Sequence, residues 1–508
     1  MGLVWIGIPD WMRSVGVDIK IIGLFGLTQL PWSLKYLWAP LMDRYAPFLG
    51  RRRGWILLAQ ILLFIFTLCL AGVGQHPDSP WIVAAFALAI ALSSATQDIA
   101  LDAYTIDVLT KEEYGVVSGA RIAMYRAAMF IAGGLAITLA GSPHPLEPDA
   151  SSFAIFWFNV VTFFDWPKVN MLLACLYLVM AFITYRAPEP TEVIPKVRTI
   201  KEAFWFPFLG FLSKHRAVEI LIFVIMYKFA DNLAEALRSP FLIDMGYSST
   251  ERGVALKTVG LVCTLSGVFL GGISTTLFGL GRCLWIFGIL MMVSNIGYIL
   301  LSQVGYHPPT FYAAMGFETF IQGLATGAFS VLLLRITQKR FSATQYALFS
   351  SMFAFPRILG GIISGLTVDA IGWTNFYIAT IVMGIPGLIL LSRFSPLGVT
   401  DPTFDTIEEV KILSLSKKQI TQQSMFAGLG AFVMTTLLLS LLEYAKAYRN
   451  LHQDAPSFLS HVGHLFTISD LASFFTIFGM VIFSITIALC FAAYYVARSN
   501  FNPLKIEN

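Results

Sequence analysis

The stretch that decides the fold is RRRGWILLAQILLFIFTLCLAG, residues 51–72, in which three arginines precede an almost unbroken apolar run. An α-helix rises about 1.5 Å per residue, so about 20 apolar residues cross the roughly 30 Å hydrocarbon core of a bilayer. Similar runs, separated by short polar gaps, recur from one end of the chain to the other. The pattern predicts an all-α membrane protein.

The composition excludes an ordinary water-soluble surface. The 508 residues are 56% apolar and only 13% charged, and the mean hydropathy is +0.72. The net charge of +4 is distributed over short loops, so we predict no nucleic-acid partner. The five cysteines lie in or beside apolar runs without CxxC spacing, which indicates small core residues and no metal site.

We predict thirteen full-length spans, and we interpret the apolar fragment Met1–Ile8 as the outer half of a truncated helix 1. The spans are residues 19–40, 54–74, 81–105, 115–140, 168–186, 217–238, 253–279, 283–303, 309–335, 343–370, 373–394, 422–444 and 468–497. The aromatic gap between the spans at 115–140 and 168–186 favours an interfacial anchor over a lid.

A polar, proline-rich stretch divides the first six helices from the next six. A faint repeat, Thr110–Gly115 against Thr337–Ser342, supports two parallel halves. By the positive-inside bias, the arginine-rich loops and both termini are predicted to be cytoplasmic. The predicted organisation is an N-terminal bundle 1–186, a cytoplasmic linker 187–216, a C-terminal bundle 217–395, a cytoplasmic connection 396–421, two additional spans 422–497 and a cytoplasmic tail 498–508.

The loop between helices 2 and 3 reads PLMDRYAPFLGRRRG, residues 40–54. It resembles the major-facilitator motif G-x-x-x-D-R-x-G-R-R, although the leading glycine is replaced and the loop is longer. The resemblance implies the major facilitator fold and a gating role, in which these residues lock the cytoplasmic ends of the halves together. The residues concerned are Asp43, Arg44, Arg51, Arg52 and Arg53. A basic loop that merely sets orientation is the alternative.

Charges at membrane depth are costly unless paired or hydrated, which makes them functional candidates. Asp98 and Asp102 are four residues apart and therefore share one face of their helix. Because two adjacent carboxylates cannot both ionise cheaply, we expect one of them to exchange a proton during transport. Ordinary ion pairs with Arg121 or Arg126 are the alternative. Lys228 lies near the midplane, one turn from Asp231, and is predicted to pair with it.

Together these groups would line one aqueous cavity between the halves. The proton-coupling candidates are Asp98, Asp102, Asp231 and Glu318. The substrate-binding candidates are Lys35, Gln97, Arg126, Tyr227, Lys228, Gln322, Gln345 and Arg357. Several cations with amides and a hydroxyl suit a polar substrate that bears carboxylates.

Five stretches are KYLWAPLMDRY at 35–45, GRRRGW at 50–55, QDIALDA at 97–103, APEPT at 187–191 and FSATQYA at 341–347. They resemble the AmpG family of muropeptide permeases of Gram-negative bacteria. The resemblance covers nearly all of residues 1–395 and, more loosely, the last two helices. It implies proton symport of anhydromuropeptides (GlcNAc-anhydroMurNAc-peptides) from periplasm to cytoplasm by alternating access. It further implies a role in peptidoglycan recycling and, in some bacteria, in β-lactamase induction.

The predicted protein is accordingly a multi-pass protein of the inner membrane. It is predicted to be a monomer that has no cofactor, is driven by the proton gradient, and has the muropeptide, protons and the lipid bilayer as its partners. A related branch that carries acetyl-CoA shares a Gln-Asp-Ile-Ala-like stretch, so another organic anion stays open as the cargo. A membrane-embedded transferase is the alternative from another class, but no HExxH, GxSxG or P-loop motif occurs, and we predict that the protein is not an enzyme. A sensor that keeps the transporter fold is the third possibility.

Overall fold

The computed structural model describes residues 1–17, 25–73, 80–140, 152–190, 199–214, 216–248, 251–252, 255–402, 415–451, 457–467, 471–499 and 501. The described residues form helices joined by turns, which confirms the all-α prediction. Ten helices in this described part are long and apolar enough to cross a membrane. Contacts between Cα atoms divide the chain into two compact units, and the larger one comprises residues 1–203 and 218–404.

The beginning of the chain is less regular than the sequence predicts. A π-helical turn, Leu3–Gly7, leads into α1, Ile8–Ser14. The predicted span 19–40 begins outside the described residues, and its remainder is broken into two short helices, α2 (Leu30–Leu34) and α3 (Ala39–Arg44). A proline lies in the first turn of each helix, where its missing N–H costs least. The 3-10 turn between them carries Lys35.

The rest of the first half contains longer helices. They are α4 (Arg53–Val73), α5 (Pro80–Val108), α6 (Tyr114–Met129), α7 (Ala136–Ala140), α8 (Ser152–Phe163), α9 (Trp166–Arg186) and α10 (Ile200–Leu212). A π-helical turn joins α6 to α7, and Asp165 caps α9 by accepting a hydrogen bond from the Lys168 N–H. The aromatic gap thus contains a helix, α8, and its interfacial role stays a prediction.

The predicted hydrophilic linker 187–216 contains a helix. Its polar beginning runs to Pro190, residues 191–198 lie outside the described part, and α10 follows with the sequence IKEAFWFPFLGFL. Because prolines precede this helix and charged residues lie on both sides of it, the sequence pattern predicts a polar linker here. The apolar helix itself is too short to be a span. Residues 204–217 belong to the smaller compact unit, together with residues 405–508.

The second half of the larger unit contains another broken helix. The predicted span 217–238 is divided into α11 (Ala217–Met226), α12 (Phe229–Ala236) and α13 (Arg238–Asp244). Lys228 and Leu237 separate these pieces with non-helical backbone. Such backbone is tolerated at membrane depth where protein or a cavity surrounds it.

The remaining helices of this half are α14 (Gly260–Phe278), α15 (Leu280–Ser294), α16 (Ile296–Val304), α17 (Pro308–Ile336) and α18 (Ser342–Phe394). Gly372, with φ +77° and ψ 170°, divides α18 into two helices. They correspond to the predicted spans 343–370 and 373–394. The left-handed φ favours glycine at this turn.

The two halves contact each other through backbone at α6 and α14. A Cβ on Gly115 would lie 2.2 Å from Thr276 Oγ1, and one on Gly272 would lie 2.3 Å from the Gly115 carbonyl oxygen. A second contact is apolar, where Ala39 and Ala100 of the first half cluster with Ala343 and Ala347 of α18. Small residues at both places let the helices approach closely.

The smaller unit contains the two predicted additional helices, α19 (Lys417–Leu451) and α21 (Leu471–Ala497), with the short α20 (Phe458–Leu465) between them. α19 and α21 pack at Gly428, where a Cβ would lie 2.8 Å from Ala488 Cβ. Ser484 Oγ donates to the Gly428 carbonyl at 2.6 Å.

Candidate transport site

The turn between α2 and α3 places a lysine near two carboxylates. Lys35 Nζ lies 2.7 Å from Asp98 Oδ2 and 3.5 Å from Asp102 Oδ2. Lys35 is only 4% exposed, so α5 provides its counter-ions inside the protein. Both aspartates indeed lie on one face of α5, as their spacing predicts.

Arg121 of α6 extends this group to the other half of the molecule. Its Nη1 forms an ion pair with Asp102, and its Nη2 donates to the Tyr346 hydroxyl of α18 at 2.9 Å. The ion pair with Arg121 is therefore present, as the alternative interpretation predicted, and Lys35 is an additional partner. We call Lys35, Asp98, Asp102 and Arg121 the Lys35 cluster. Its formal charges sum to zero.

The break before α12 carries a second group. Lys228 Nζ donates to Asp231 Oδ2 at 2.9 Å, which confirms the predicted pair, and Gln322 Nε2 donates to Asp231 Oδ1 at 2.9 Å. Tyr227 is engaged elsewhere, because its hydroxyl donates to the Leu284 carbonyl and its ring stacks on Phe329. A 20 Å³ cavity beside Tyr227 and Asp231 has room for about one water.

Glu318 belongs to a third group, around an arginine that the sequence analysis does not single out. Arg238 Nη2 lies 3.0 Å from Glu235 Oε1, and its Nη1 lies 3.4 Å from Glu318 Oε2. The Tyr298 hydroxyl donates to the same Glu318 oxygen at 3.1 Å. Arg238 falls at the end of a predicted span, where a charged residue is expected at the membrane surface. The sequence pattern therefore does not indicate that it is a buried partner of Glu318.

The other substrate-binding candidates differ in their surroundings. Arg126 is half-buried on α6, forms no ion pair with the described residues, and has a buried Nε without a hydrogen-bond partner. Gln97 is half-buried on α5 beside Asp98, and Arg357 lies in α18, with its side chain outside the described part. Gln345 contacts the turn that precedes α18. It is buried in the first turn of α18, where its Oε1 accepts from Gln338 N at 2.8 Å.

The gating candidates include a buried network that joins the halves. Asp43 caps the N-terminus of α18, because its carboxylate accepts from Thr344 N at 2.9 Å and Thr344 Oγ1 at 2.7 Å. Arg52 Nη2 donates to Asp43 Oδ1 at 2.9 Å and to Ser342 Oγ at 2.6 Å, and Nε donates to Asp107 Oδ2 at 2.6 Å. We call Asp43, Arg52, Asp107, Ser342 and Thr344 the Arg52 network.

The two carboxylates of this network compensate the charge of the buried Arg52. Arg52 is 1% exposed. Burial works to lower the pKa of Arg52, but the carboxylates of Asp43 and Asp107 outweigh it and raise the pKa above its ordinary value. The Arg52 guanidinium therefore keeps its charge despite its burial.

The other three arginines of the loop contribute differently. Arg51 lies at the margin, with Nη2 3.6 Å from Asp43 Oδ1. Arg53 donates to the Ala187 carbonyl at 2.9 Å. Arg44 lies 4.9 Å above the Tyr45 ring and forms no ion pair with the described residues. In this structure, the predicted lock therefore does not include Arg44 and Arg53.

Glu189 is a participant that the sequence analysis missed. Its Oε1 accepts from Arg52 N at 2.9 Å and its Oε2 accepts from Arg53 N at 3.0 Å, so it caps α4 from the polar stretch after α9. Gly50 has φ +114°, and a Cβ there would lie 2.5 Å from the Glu189 carboxyl carbon. The APEPT stretch that contains Glu189 supports the family resemblance, but it indicates no role for this residue.

Comparisons with known proteins agree with this architecture. The Major Facilitator Superfamily matches residues 1–360. The anhydromuropeptide permease of Escherichia coli (strain K12) is 39% identical over 383 residues, which are 75% of this chain and 74% of that protein. The putative transporter AmpG 4 of Rickettsia felis is 31% identical over 395 residues, covering 75% of this chain and 89% of that protein.

Among solved structures, the fold is similar to that of the proton:xylose symporter XylE. The TM-score is 0.56 at 12% sequence identity, and the match covers 75% of this chain and 87% of that structure. Ten membrane-length helices among the described residues, two halves joined by a buried ion network and these matches lead to one conclusion. The chain is a multi-pass membrane transporter of the Major Facilitator Superfamily and belongs within it to the AmpG family of anhydromuropeptide permeases.

Proposed function

We propose that the protein imports anhydromuropeptides across the inner membrane by proton symport and alternating access, with both termini in the cytoplasm. Membership of the AmpG family supports the cargo. The observation that carries the mechanism is the Lys35 cluster, where two carboxylates and two cations stand at membrane depth and one of the cations contacts the other half.

Charge balance gives this cluster a role in coupling. A muropeptide carboxylate that approaches Lys35 competes with Asp98 for its ammonium, and Asp98 is the accessible partner because its side chain is 33% exposed. Asp98 would then lack a cation at membrane depth, where an unpaired charge is costly. Uptake of one proton by Asp98 removes that charge, so substrate and proton bind together and the site stays neutral.

Arg126 is the proposed second anchor for the substrate. The described residues provide no anion for its guanidinium, so a substrate carboxylate can occupy it without displacing a protein partner. The amide of Gln97 lies on the adjacent helix, and amides suit the hydroxyl and acetamido groups of a disaccharide. Asp102, Asp231 and Glu318 are already paired, and they serve to hold the helices around the site.

The Arg52 network is the proposed cytoplasmic gate. It links α3, the residue before α4, and α5 of the first half to the N-terminus of α18. Release of substrate into the cytoplasm therefore requires these contacts to separate. Substrate and proton must therefore favour the separated arrangement by more than the network opposes it.

Uptake of labelled anhydromuropeptide into proteoliposomes of controlled orientation tests the proposal. With a proton gradient of the inward direction we expect accumulation, and an uncoupler should abolish it. Asp98→Asn should lose accumulation but retain exchange of external for internal substrate, because the asparagine mimics the protonated carboxyl. Glu113→Gln, in an exposed loop, is the control. Gradient-insensitive uptake would contradict coupling, and uptake of acetyl-CoA instead of muropeptide would assign the other cargo.

A further inference from the structure

The smaller unit contains an open cleft that the transport proposal does not use. Its volume is about 470 Å³, within the roughly 300–1,000 Å³ of small-molecule sites. The apolar lining consists mainly of Trp205, Met425, Ala488, Leu489, Ala492 and Val496. Two hydroxyls also face the cleft, but Thr421 Oγ1 and Ser424 Oγ donate to carbonyls of their own helix at 3.0 and 2.7 Å. The walls therefore suit hydrocarbon.

One end of the cleft is positively charged. Lys417 begins α19 and lines the cleft, and its Nζ lies 5.3 Å from the centre of the Phe501 ring, which also lines it. No carboxylate of the described residues pairs with Lys417, and Lys418 beside it is exposed. Arg498 follows the end of α21, lies over Tyr494 at 4.8 Å, and has a buried Nε without a hydrogen-bond partner.

The cation at one end of the cleft and the apolar wall beyond it match the headgroup and the acyl chains of a lipid. Lys417 and Met425 are eight residues apart on α19, which corresponds to about 12 Å along the helix. The cleft thus begins with a cation where the candidate span Lys417–Leu441 begins, and continues along that span with apolar side chains. A cation at such a position near the membrane surface attracts the headgroup of an anionic lipid.

We propose that this cleft binds one phospholipid with an anionic headgroup. Lys417 holds the phosphate, Lys418 and Arg498 add positive potential beside it, and one acyl chain lies against Trp205 and Ala492. A zwitterionic lipid would fill the apolar part but would leave the cations without compensation. The site is independent of the proposed cargo.

Trp205 provides a reporter inside the cleft. Brominated acyl chains quench tryptophan on contact, so the full-length protein in detergent is titrated with brominated phosphatidylglycerol and brominated phosphatidylcholine. The chain has 11 tryptophans, and Trp205→Phe isolates the contribution of this one. We expect the Trp205 contribution to saturate at an approximately tenfold lower concentration of phosphatidylglycerol, which corresponds to about 1.4 kcal/mol.

Variants distinguish lipid binding in the cleft from contact with the general lipid shell. Lys417→Gln should abolish the headgroup preference, and Ala492→Phe should reduce quenching of Trp205 by either lipid. Lys168→Gln is the matched control, because Lys168 also begins a span beside a phenylalanine ring, at 4.8 Å, but is paired with Asp165. Native mass spectrometry should retain one phosphatidylglycerol on the wild type and none on Lys417→Gln.

Three results would overturn the proposal. Equal quenching by both lipids would indicate contact with the general lipid shell. A preference that survives Lys417→Gln would place the anion elsewhere, and quenching by a brominated fatty acid as strong as that by phosphatidylglycerol would assign a different amphiphile. Because mass spectrometry and circular dichroism report folding directly, a misfolded variant is recognised, and Lys418→Gln then provides the second reduction of charge.

Discussion

The Arg52 network and the Lys35 cluster both join the halves through arginine, but they differ in how completely their partners are satisfied. Arg52 is 1% exposed and contacts two carboxylates and a hydroxyl at 2.6–2.9 Å. In the Lys35 cluster, Asp98 is 33% exposed and Lys35 divides itself between Asp98 at 2.7 Å and Asp102 at 3.5 Å. The first arrangement holds one state, whereas the second leaves room for a partner to be exchanged.

The difference follows from the backbone that carries each group. The cation of the network precedes α4, and its acidic partner Asp43 also caps α18, so helix termini fix both ends. Lys35 lies in a 3-10 turn between two short helices, a weaker support. A rigid pair suits a gate that opens as a unit, and a loosely held pair suits a site whose ligands change.

The largest effect is expected from Arg52→Ala, which breaks the more rigid of the two regions, the Arg52 network. Removal of the cation leaves Asp43 and Asp107 buried without compensation, and breaking such a buried pair costs about 3–5 kcal/mol. We expect the halves to separate at this end and uptake to fall by about tenfold or more. Spin labels on α3 and α18 would measure the separation.

Arg44→Ala is the control for this prediction, because Arg44 is in the same loop but outside the network. Its uptake and its distance distribution should match the wild type. An equal loss in both variants would mean that the loop acts through its total charge, as the orientation alternative states.

The glycine contact between α6 and α14 provides a second way to separate the halves without altering any charge. Gly272→Val would place a Cβ 2.3 Å from the Gly115 carbonyl oxygen, a contact that backbone cannot avoid. We expect a smaller change in label distances than for Arg52→Ala, and a smaller loss of uptake, because the ion network remains. Gly72→Ala is the control, since a Cβ there meets nothing within 4 Å. Unchanged distances in Gly272→Val would show that this contact persists in every state.

Arg126 tests the proposed substrate site, which is the less completely paired of the two regions. Because Arg126 forms no ion pair with the described residues, Arg126→Gln should leave thermal stability within about 0.5 kcal/mol of wild type, as for other substitutions without lost partners. Loss of one charged hydrogen bond to the substrate should raise KM about tenfold, or about 1.4 kcal/mol. Transport kinetics and thermal unfolding of the same preparations would test both values. A large fall in stability with unchanged KM would mean that Arg126 stabilises the folded protein and does not bind the substrate.

The sequence predicts regular features of this molecule well, because they depend on local patterns. The spans 54–74, 81–105 and 168–186 correspond closely to α4, α5 and α9, and the four-residue spacing of Asp98 and Asp102 places them on one face. The pairing of Lys228 with Asp231 follows from the same local geometry.

Features that depend on distant contacts were not predictable. The motif resemblance implies that Asp43 joins the halves, but nothing in its neighbourhood indicates that it caps α18, about 300 residues away. The breaks at Lys35 and Lys228 lie in apolar runs that hydropathy interprets as continuous. Arg238 was overlooked because it coincides with the predicted end of a span.

Glu189 gives the smallest expected effect and tests whether the rigidity of the Arg52 network comes from its ion pairs or from its backbone support. Glu189→Gln keeps one acceptor for the N-terminus of α4 but removes the negative charge, and a charged group at a helix N-terminus contributes about 0.3–1 kcal/mol. We expect a two- to fivefold shift toward separated halves by spin-label distances, with uptake nearly unchanged. Tyr104→Phe, which loses only a hydrogen bond to the neighbouring Pro188 carbonyl, is the control. A shift as large as that of Arg52→Ala would mean that the gate is held through the segment after α9, and that the ion pairs merely follow the position of α4.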